Sequence, residues 1–361
     1  AEGQQLARWA FEAWEMVADL EFVEVSGNAD ITFDDDDSGA YAGYTATGNT
    51  TDSAYVNVST EWLDYYGTDI DSYSFATYVH EIGHALGLGH QGSYNGSASY
   101  GTDETFTNDS WQLSIMSYFS QTENTTTDAS YAAVTSAMMA DIIAIQTLYG
   151  APTNGETAGA TVYGLDSNLD NYLGELFDGL FSSSDAYGGG PVTMTLFDEG
   201  GIDTIDFSPD TYDQTVTLAS EGISDVLGLT GNLIIARDTV IENYIAGSGD
   251  DSVTGNSADN ALTGNAGNDS LFGAAGDDTL NGGQGADVLD GGEGSDTASY
   301  SNSGSGLVAR LDGGSGTGQA AGDTFSNIEN LAGTDYTDNL VGSTGANTLS
   351  GNGGSDNLYG L

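Results

Sequence analysis

From Ala246 to Ser299 the chain repeats itself every nine residues, and that period constrains its fold more than any other feature. Three consecutive units, Gly264–Phe272, Gly273–Asn281 and Gly282–Asp290, each approximate GGxGxDxUx, where U is a large apolar residue. A unit this short cannot close a core alone, so neighbouring units must stack. The glycines permit the turns, the aspartates and backbone carbonyls face a cation, and the apolar residue points inward. Hard oxygen donors of this kind favour Ca²⁺. The pattern therefore predicts an all-β, calcium-binding parallel β-roll. Its frame places Asp251, Asn260, Asp269, Asp278, Asp287 and Asp296 at the ligand position, over Val253, Leu262, Leu271, Leu280, Leu289 and Ala298. Ala298 underfills its place, so a weak edge is expected there. Residues 300–332 interrupt the pattern, which resumes from Gly333 to Tyr359 with Asp338, Asn347 and Asp356 over Leu340, Leu349 and Leu358. An apolar residue recurring in register argues against a disordered Gly/Asp linker. Opposed carboxylates repel until calcium arrives, which couples metal binding to folding.

The other constraint lies upstream. All three histidines of the 361-residue chain fall in His80-Glu81-Ile82-Gly83-His84-Ala85-Leu86-Gly87-Leu88-Gly89-His90. On a helix His80 and His84 share a face and can hold one metal, with Glu81 on the neighbouring face. Gly87 can end the helix with a positive φ, letting the chain double back and deliver His90. Three protein ligands on zinc leave a position for water, the arrangement of a catalytic site. The short HExxH motif also admits a distant glutamate as third ligand, for which Glu104 or Glu123 could serve; His90 makes that unnecessary. Zinc would polarise a carbonyl, and Glu81 would move the proton from water to the leaving group. With no cysteine and no histidine outside this stretch, Ser-His-Asp and thiol proteases are excluded.

Fifty-five acidic residues stand against three basic ones, Arg8, Arg237 and Arg310, for a formal charge of −52. Nucleic acid and anionic membrane are poor partners for such a surface. Acidic groups are dense before residue 150 as well as after it, so metal binding alone does not explain the bias. No apolar run is long enough to span a membrane.

These residues bring a resemblance into view. The histidine motif, Ser114-Ile115-Met116-Ser117-Tyr118 and the segment Asp141–Gly150 resemble the serralysin family of secreted bacterial metzincin endopeptidases, which carry RTX-type repeats. The resemblance implies an α/β zinc-protease domain with a twisted, mostly parallel sheet and long helices. It implies zinc on His80, His84 and His90, Glu81 as general base, Met116 as a structural turn beneath the ligands, and Tyr118 as a displaceable fifth ligand that stabilises the tetrahedral intermediate. Taken alone, Met116 reads as a core residue and Tyr118 as one tyrosine among twenty. Several structural Ca²⁺ ions, polypeptide substrates, a proteinaceous inhibitor, a monomeric state and export through a dedicated secretion system are further expectations. Two departures stand out. Gln91 replaces the proline usual after the third histidine, and the family's extra residues before the opening helix, which include a strand, are expected either to lie outside this sequence or to be dispensed with by a shorter branch. The export signal normally beyond the roll is expected to be absent or removed.

Along the chain, a helix is expected over 3–19, strands at Phe22–Val25, Ala29–Phe33, Gly39–Tyr44 and Ala54–Val58, and a solvated acidic loop at Asp34–Asp37. Ser72 or Ser74 should cap the histidine helix. Residues 92–131 read as loops around a cleft, 132–149 as a helix, and Asp141 on it as a structural acceptor. Gly150-Ala151-Pro152 suggests a boundary, giving a catalytic domain over 1–150 and a β-rich repeat domain over 151–361. A secreted zinc endopeptidase is the leading reading. A calcium-dependent adhesion or carbohydrate-binding module with a vestigial zinc site is the alternative, and a non-peptide amide hydrolase shares the same metal chemistry.

Overall fold

The structure, a computed structural model, describes residues 2–48 and 50–361 and divides into two compact units. Unit 1 comprises Ala1–Gly159, Ser167–Glu199 and Leu229–Thr239; unit 2 comprises Ala160–Asp166, Gly200–Gly228 and Val240–Leu361. This division differs from a single boundary at 150/151. Gly150 does end a helix, with φ 92°, but later segments return to unit 1 because strand pairing draws them back. Val192–Leu196 lies parallel between Ala133–Val134 and Leu233–Ile235.

In unit 1, helix α1 (Glu2–Glu15) buries Leu6, Ala10, Ala13 and Trp14. The Trp14 indole N–H donates to the Val79 carbonyl at 3.0 Å. Three strands follow: β1 (Ile31–Asp34), β2 (Ala40–Thr47) and β3 (Thr50–Val58). They are ordered β1-β3-β2, with β1 parallel and β2 antiparallel to β3, so β2 is an edge. Asn49, in the turn expected between β2 and β3, lies outside the described residues. Phe22–Val25 forms no strand. Phe22 packs on Phe11 with ring centroids 4.5 Å apart, while Val23 and Val25 are 72% and 53% exposed. The segment covers α1 instead of joining a ladder.

Helix α2 (Thr60–Tyr66) and helix α3 (Tyr73–Ala85) are capped by the hydroxyls of Ser59 and Ser72, which accept from Trp62 N–H and Phe75 N–H. Residues 92–131 contain no helix or strand. The helical stretch expected over 132–149 is shorter: Ala133–Val134 forms strand β4, and helix α4 spans Met139–Tyr149. Helix α5 (Tyr172–Phe181) buries Tyr172, Leu173, Leu176 and Phe177, and its Tyr172 N–H donates to Glu12 of α1 at 2.8 Å. No helix among the described residues is long and apolar enough to cross a membrane.

Unit 2 is a stack of coils. Successive short strands alternate between two parallel sheets: Asn243–Ile245, Ala261–Thr263, Thr279–Asn281 and Thr297–Ser299 lie in one, and Ser252–Thr254, Ser270–Ala275 and Val288–Glu293 in the other. Nine residues thus make half a coil, and eighteen return the chain to the same sheet. Val253, Leu262, Leu271, Leu280 and Leu289 fill the interior at 0–1% exposure. The interruption at 300–332 does not break the stack. Thr324–Ser326 pairs with Val288–Glu293, and Asn330–Ala332 pairs with Thr297–Ser299. Ala298 is therefore not an edge: it is fully buried and lies opposite Leu331. A third parallel sheet joins Val308–Arg310, Asn339–Val341 and Asn357–Tyr359.

Candidate metal centre

Helix α3 carries His80, Glu81 and His84, and Gly87 turns the chain with φ 101°, bringing His90 to the same place. The ligand atoms of the three histidines lie within 4.8 Å of one another. Backbone carbonyls fix the imidazoles. The Nδ1 of His80 reaches Ile115 O at 2.8 Å, that of His84 reaches Leu88 O at 2.9 Å, and that of His90 reaches Tyr94 O at 2.9 Å. A carbonyl can only accept, so each ring carries its proton on Nδ1 and turns an Nε2 lone pair to the centre. The Nε2 atoms of His84 and His90 are 3.0 Å apart. Two lone pairs at that distance repel, and a cation bound by neutral imidazole resolves the conflict. Burial, aided by the neighbouring imidazoles, holds His80 down at about 3, and burial also lowers His84 and His90. The trio therefore stays neutral, as metal ligation requires.

Glu81 is 8% exposed, and burial pushes its carboxyl up to about 7, partly offset by a hydrogen bond from the Ala42 backbone on edge strand β2. A carboxyl poised near neutrality can both take and return a proton. Tyr118 stands over the histidines, its ring 4.4 Å from that of His90 and 6.1 Å from that of His80. Its hydroxyl accepts from Gly96 N–H at 3.3 Å. Glu104 and Glu123 are occupied locally, accepting from Gly101 N–H and from Ser120, so neither replaces His90.

Met116, 2% exposed, lies under α3 against Gly83. A Cβ on Gly83 would sit 2.8 Å from Met116 Sδ and 3.0 Å from Trp14 Cζ2. In an unobstructed helix interior Gly→Ala gains roughly 1 kcal/mol of propensity. Here overpacking should reverse the sign, and Gly83→Ala is expected to destabilise the chain by about 1–3 kcal/mol in denaturant unfolding. A stabilised variant would show that the methionine does not abut the helix.

Two buried aspartates that the motif did not mark as site residues hold this arrangement. Asp141 accepts from Ser114 Oγ at 2.6 Å, Ile115 N–H at 2.7 Å and Met138 N–H at 3.0 Å, tying the methionine turn to α4. It is the structural acceptor expected from the sequence. Asp109 accepts from Tyr94 Oη and, at 2.6 Å, from Ser117 Oγ, joining the His90 loop to the residue before Tyr118. Nothing in its local sequence distinguishes Asp109 from its many acidic neighbours.

In unit 2 a ladder runs through the repeat aspartates. The backbone N–H of Asp251, Asn260, Asp269 and Asp278 each donates to Oδ1 of the aspartate eighteen residues on: Asp269, Asp278, Asp287 and Asp296. The Oδ2 atoms of Asp251, Asp269, Asp278, Asp287 and Asp296 are buried without a hydrogen-bond partner. Leaving an acidic oxygen so is costly unless a cation compensates. Each cradle is glycine-lined: a Cβ on Gly264, Gly273 or Gly282 would meet the facing carboxylate at 2.2–2.3 Å. Oxygen donors around these orphaned atoms fit a hard divalent cation. Asn260 and Asn347 are closed by their own hydrogen bonds, and both oxygens of Asp338 engage Thr334. Asp356 accepts from Asp338 N–H at 3.1 Å. Asp323 and Glu329, inside the interruption, continue the ladder under Asp287 and Asp296.

Comparison with known proteins finds matches for both parts of the chain. The family described as peptidase M10 serralysin C terminal matches residues 153–356, and metallo-peptidase family M12B reprolysin-like matches 31–148. Serralysin B of Dickeya chrysanthemi is 41% identical over 262 residues, covering 68% of this chain and 52% of that protein. Serralysin of Photorhabdus luminescens is 38% identical over 261 residues, with 69% and 51% covered. Metallopeptidase AprA of Pseudomonas marginalis is 35% identical over 271 residues, with 71% and 54% covered. The chain spans about half the length of these relatives.

Proposed function

This chain belongs to the serralysin family, and from that premise we propose that it is a secreted bacterial zinc endopeptidase that cleaves internal bonds of extended polypeptides. The observation that carries the reading is the set of three Nε2 lone pairs converging beside the buried carboxyl of Glu81. His80, His84 and His90 would hold zinc, with Tyr118 as a further, displaceable ligand. Zinc there supplies Lewis acidity, polarising a carbonyl and acidifying water. Glu81 takes a proton from the attacking water and passes it to the leaving amine. Tyr118 spends an acceptor site on Gly96 and keeps its O–H to donate to a developing oxyanion. Because β2 is an edge strand and Ala42 on it bonds Glu81, a substrate laid along β2 gains backbone hydrogen bonds and brings a carbonyl to the base.

Asp251, Asp269, Asp278, Asp287 and Asp296 would bind structural calcium in unit 2, and such sites would fold the roll where calcium is abundant, outside the cell. Asp338 and Asp356 are weaker candidates, since Asp338 is already satisfied by Thr334. The test is phenanthroline treatment at constant millimolar calcium. Casein hydrolysis should vanish and return with about one equivalent of zinc, and the products should map to internal cuts. Hydrolysis persisting without zinc, or a zinc-loaded chain inert to every peptide, would sink the reading.

A further inference from the structure

Six aromatic rings form a continuous ledge in unit 1. Trp62, Tyr65 and Tyr66 come from α2, Tyr73 opens α3, and Trp111 and Tyr131 come from the loops that follow. Ring centroids step 4.7 Å from Tyr65 to Tyr66, 4.9 Å to Tyr73, 5.8 Å to Trp111 and 6.1 Å to Tyr131, with Trp62 4.7 Å from Tyr66. Such rings normally form core. Here Tyr65 is 81% exposed, Tyr131 56%, Tyr73 40% and Tyr66 38%. Both indole N–H groups point inward, Trp62 Nε1 donating to Thr77 Oγ1 at 3.2 Å and Trp111 Nε1 to Ser117 O at 2.9 Å. The rings are thus anchored at their polar edges.

The ledge is continuous with the metal centre. Tyr73 lies two helical turns before His80 on the same face of α3, and Trp111 is bonded to the residue preceding Tyr118. Glu61, Asp64, Asp69 and Asp71 surround the α2 rings in sequence, with no lysine or arginine between residues 9 and 236. Anchored aromatic faces within an acidic field suit one kind of side chain above others, a cation lying over a ring.

We propose that this ledge is a substrate subsite that takes an arginine or lysine side chain of the polypeptide, several residues from the scissile bond. The inference rests on the endopeptidase reading and adds a specificity to it. Seven residues of helix separate Tyr73 from His80 by about 10 Å, and the rings continue outward from Tyr73. An extended chain at about 3.3 Å per residue therefore meets the ledge roughly three to six residues from the cut.

The test is a dodecapeptide library with Arg, Lys, Leu, Phe or Glu scanned across the flanking positions, cleaved by wild type, Tyr65→Ala and Tyr65→Ala/Tyr66→Ala. Wild type should favour Arg over Leu in kcat/KM by about fivefold or more at one or two such positions, since a cation–π contact contributes about 1 kcal/mol. The preference should shrink as salt rises, and the double variant should lower the Arg/Leu ratio about fivefold. Near-UV circular dichroism reports that the variants remain folded; if the double variant does not, the exposed single variant carries the comparison. No positional preference, a preference for Phe or Leu equal to that for Arg, or a preference that survives in the folded variants overturns the proposal. A wild type that cuts none of the peptides overturns the endopeptidase reading, and this inference with it.

Discussion

Glu81→Gln should keep its metal and lose its activity. The amide oxygen can still accept from the Ala42 backbone, and the side chain keeps its shape in a pocket that leaves Glu81 8% exposed. What disappears is the capacity to take a proton. General acid–base catalysis is typically worth about 10²–10⁴-fold, so kcat on a peptide should fall by roughly three orders of magnitude while KM changes little. The metal content, measured on the same sample, separates this from loss of the site: His80, His84 and His90 hold their orientation through Ile115, Leu88 and Tyr94, and none of those bonds involves Glu81. Activity within tenfold of wild type would remove Glu81 from the chemistry.

Calcium withdrawal should have the largest effect on stability, confined first to unit 2. A ligand at a hundredfold excess over its Kd contributes about 2.7 kcal/mol per site, and a domain of this size shifts by about 2–4 °C per kcal/mol. Several sites together therefore predict a fall in Tm of tens of degrees under a calcium chelator. Without the ion the pH dependence has a definite sign. Burial raises the folded-state carboxyls of Asp251 and Asp278 to about 6 and of Asp269 and Asp287 to about 7. A raised pKa contributes stability below the unfolded value, near 4, that is lost as pH rises through the folded values. The calcium-free chain should melt higher at pH 4.5 than at pH 7.5, and added calcium should restore the neutral sample most. A scan indifferent to calcium at neutral pH would show that these aspartates hold no ion.

The parts of this molecule written as local periodicity are legible in the sequence. The nine-residue phrase specifies the alternation of sheets, and the histidine spacing specifies one helix face followed by a glycine turn. Whatever depends on distant segments meeting is not. The sequence around Asp109 gives no reason to place it between Tyr94 and Ser117. Phe22–Val25 has strand-forming residues but finds α1 rather than a ladder partner, since Phe22 meets Phe11. The boundary at Gly150-Ala151-Pro152 marks the end of a helix correctly, yet the pairing of Val192–Leu196 with two segments of unit 1 carries the chain back across it. The interruption at 300–332 hid its continuity because Asp323 follows its partner Asp287 by thirty-six residues without the intervening units, and Glu329, thirty-three residues after Asp296, sits out of the nine-residue phase.

The eighteen-residue ladder also sets the increments by which such a chain can change in length. Each coil's backbone N–H is completed by the next coil's carboxylate, so adding or removing eighteen residues preserves every partner, whereas nine would exchange the two sheets. Other insertions must leave the stack as a loop and re-enter it with a suitable acceptor. Between Asp287 and Asp323 the spacing is thirty-six residues, two whole coils, and the intervening chain makes its excursion and returns in register. Length in unit 2 is quantised, and loops absorb the remainder.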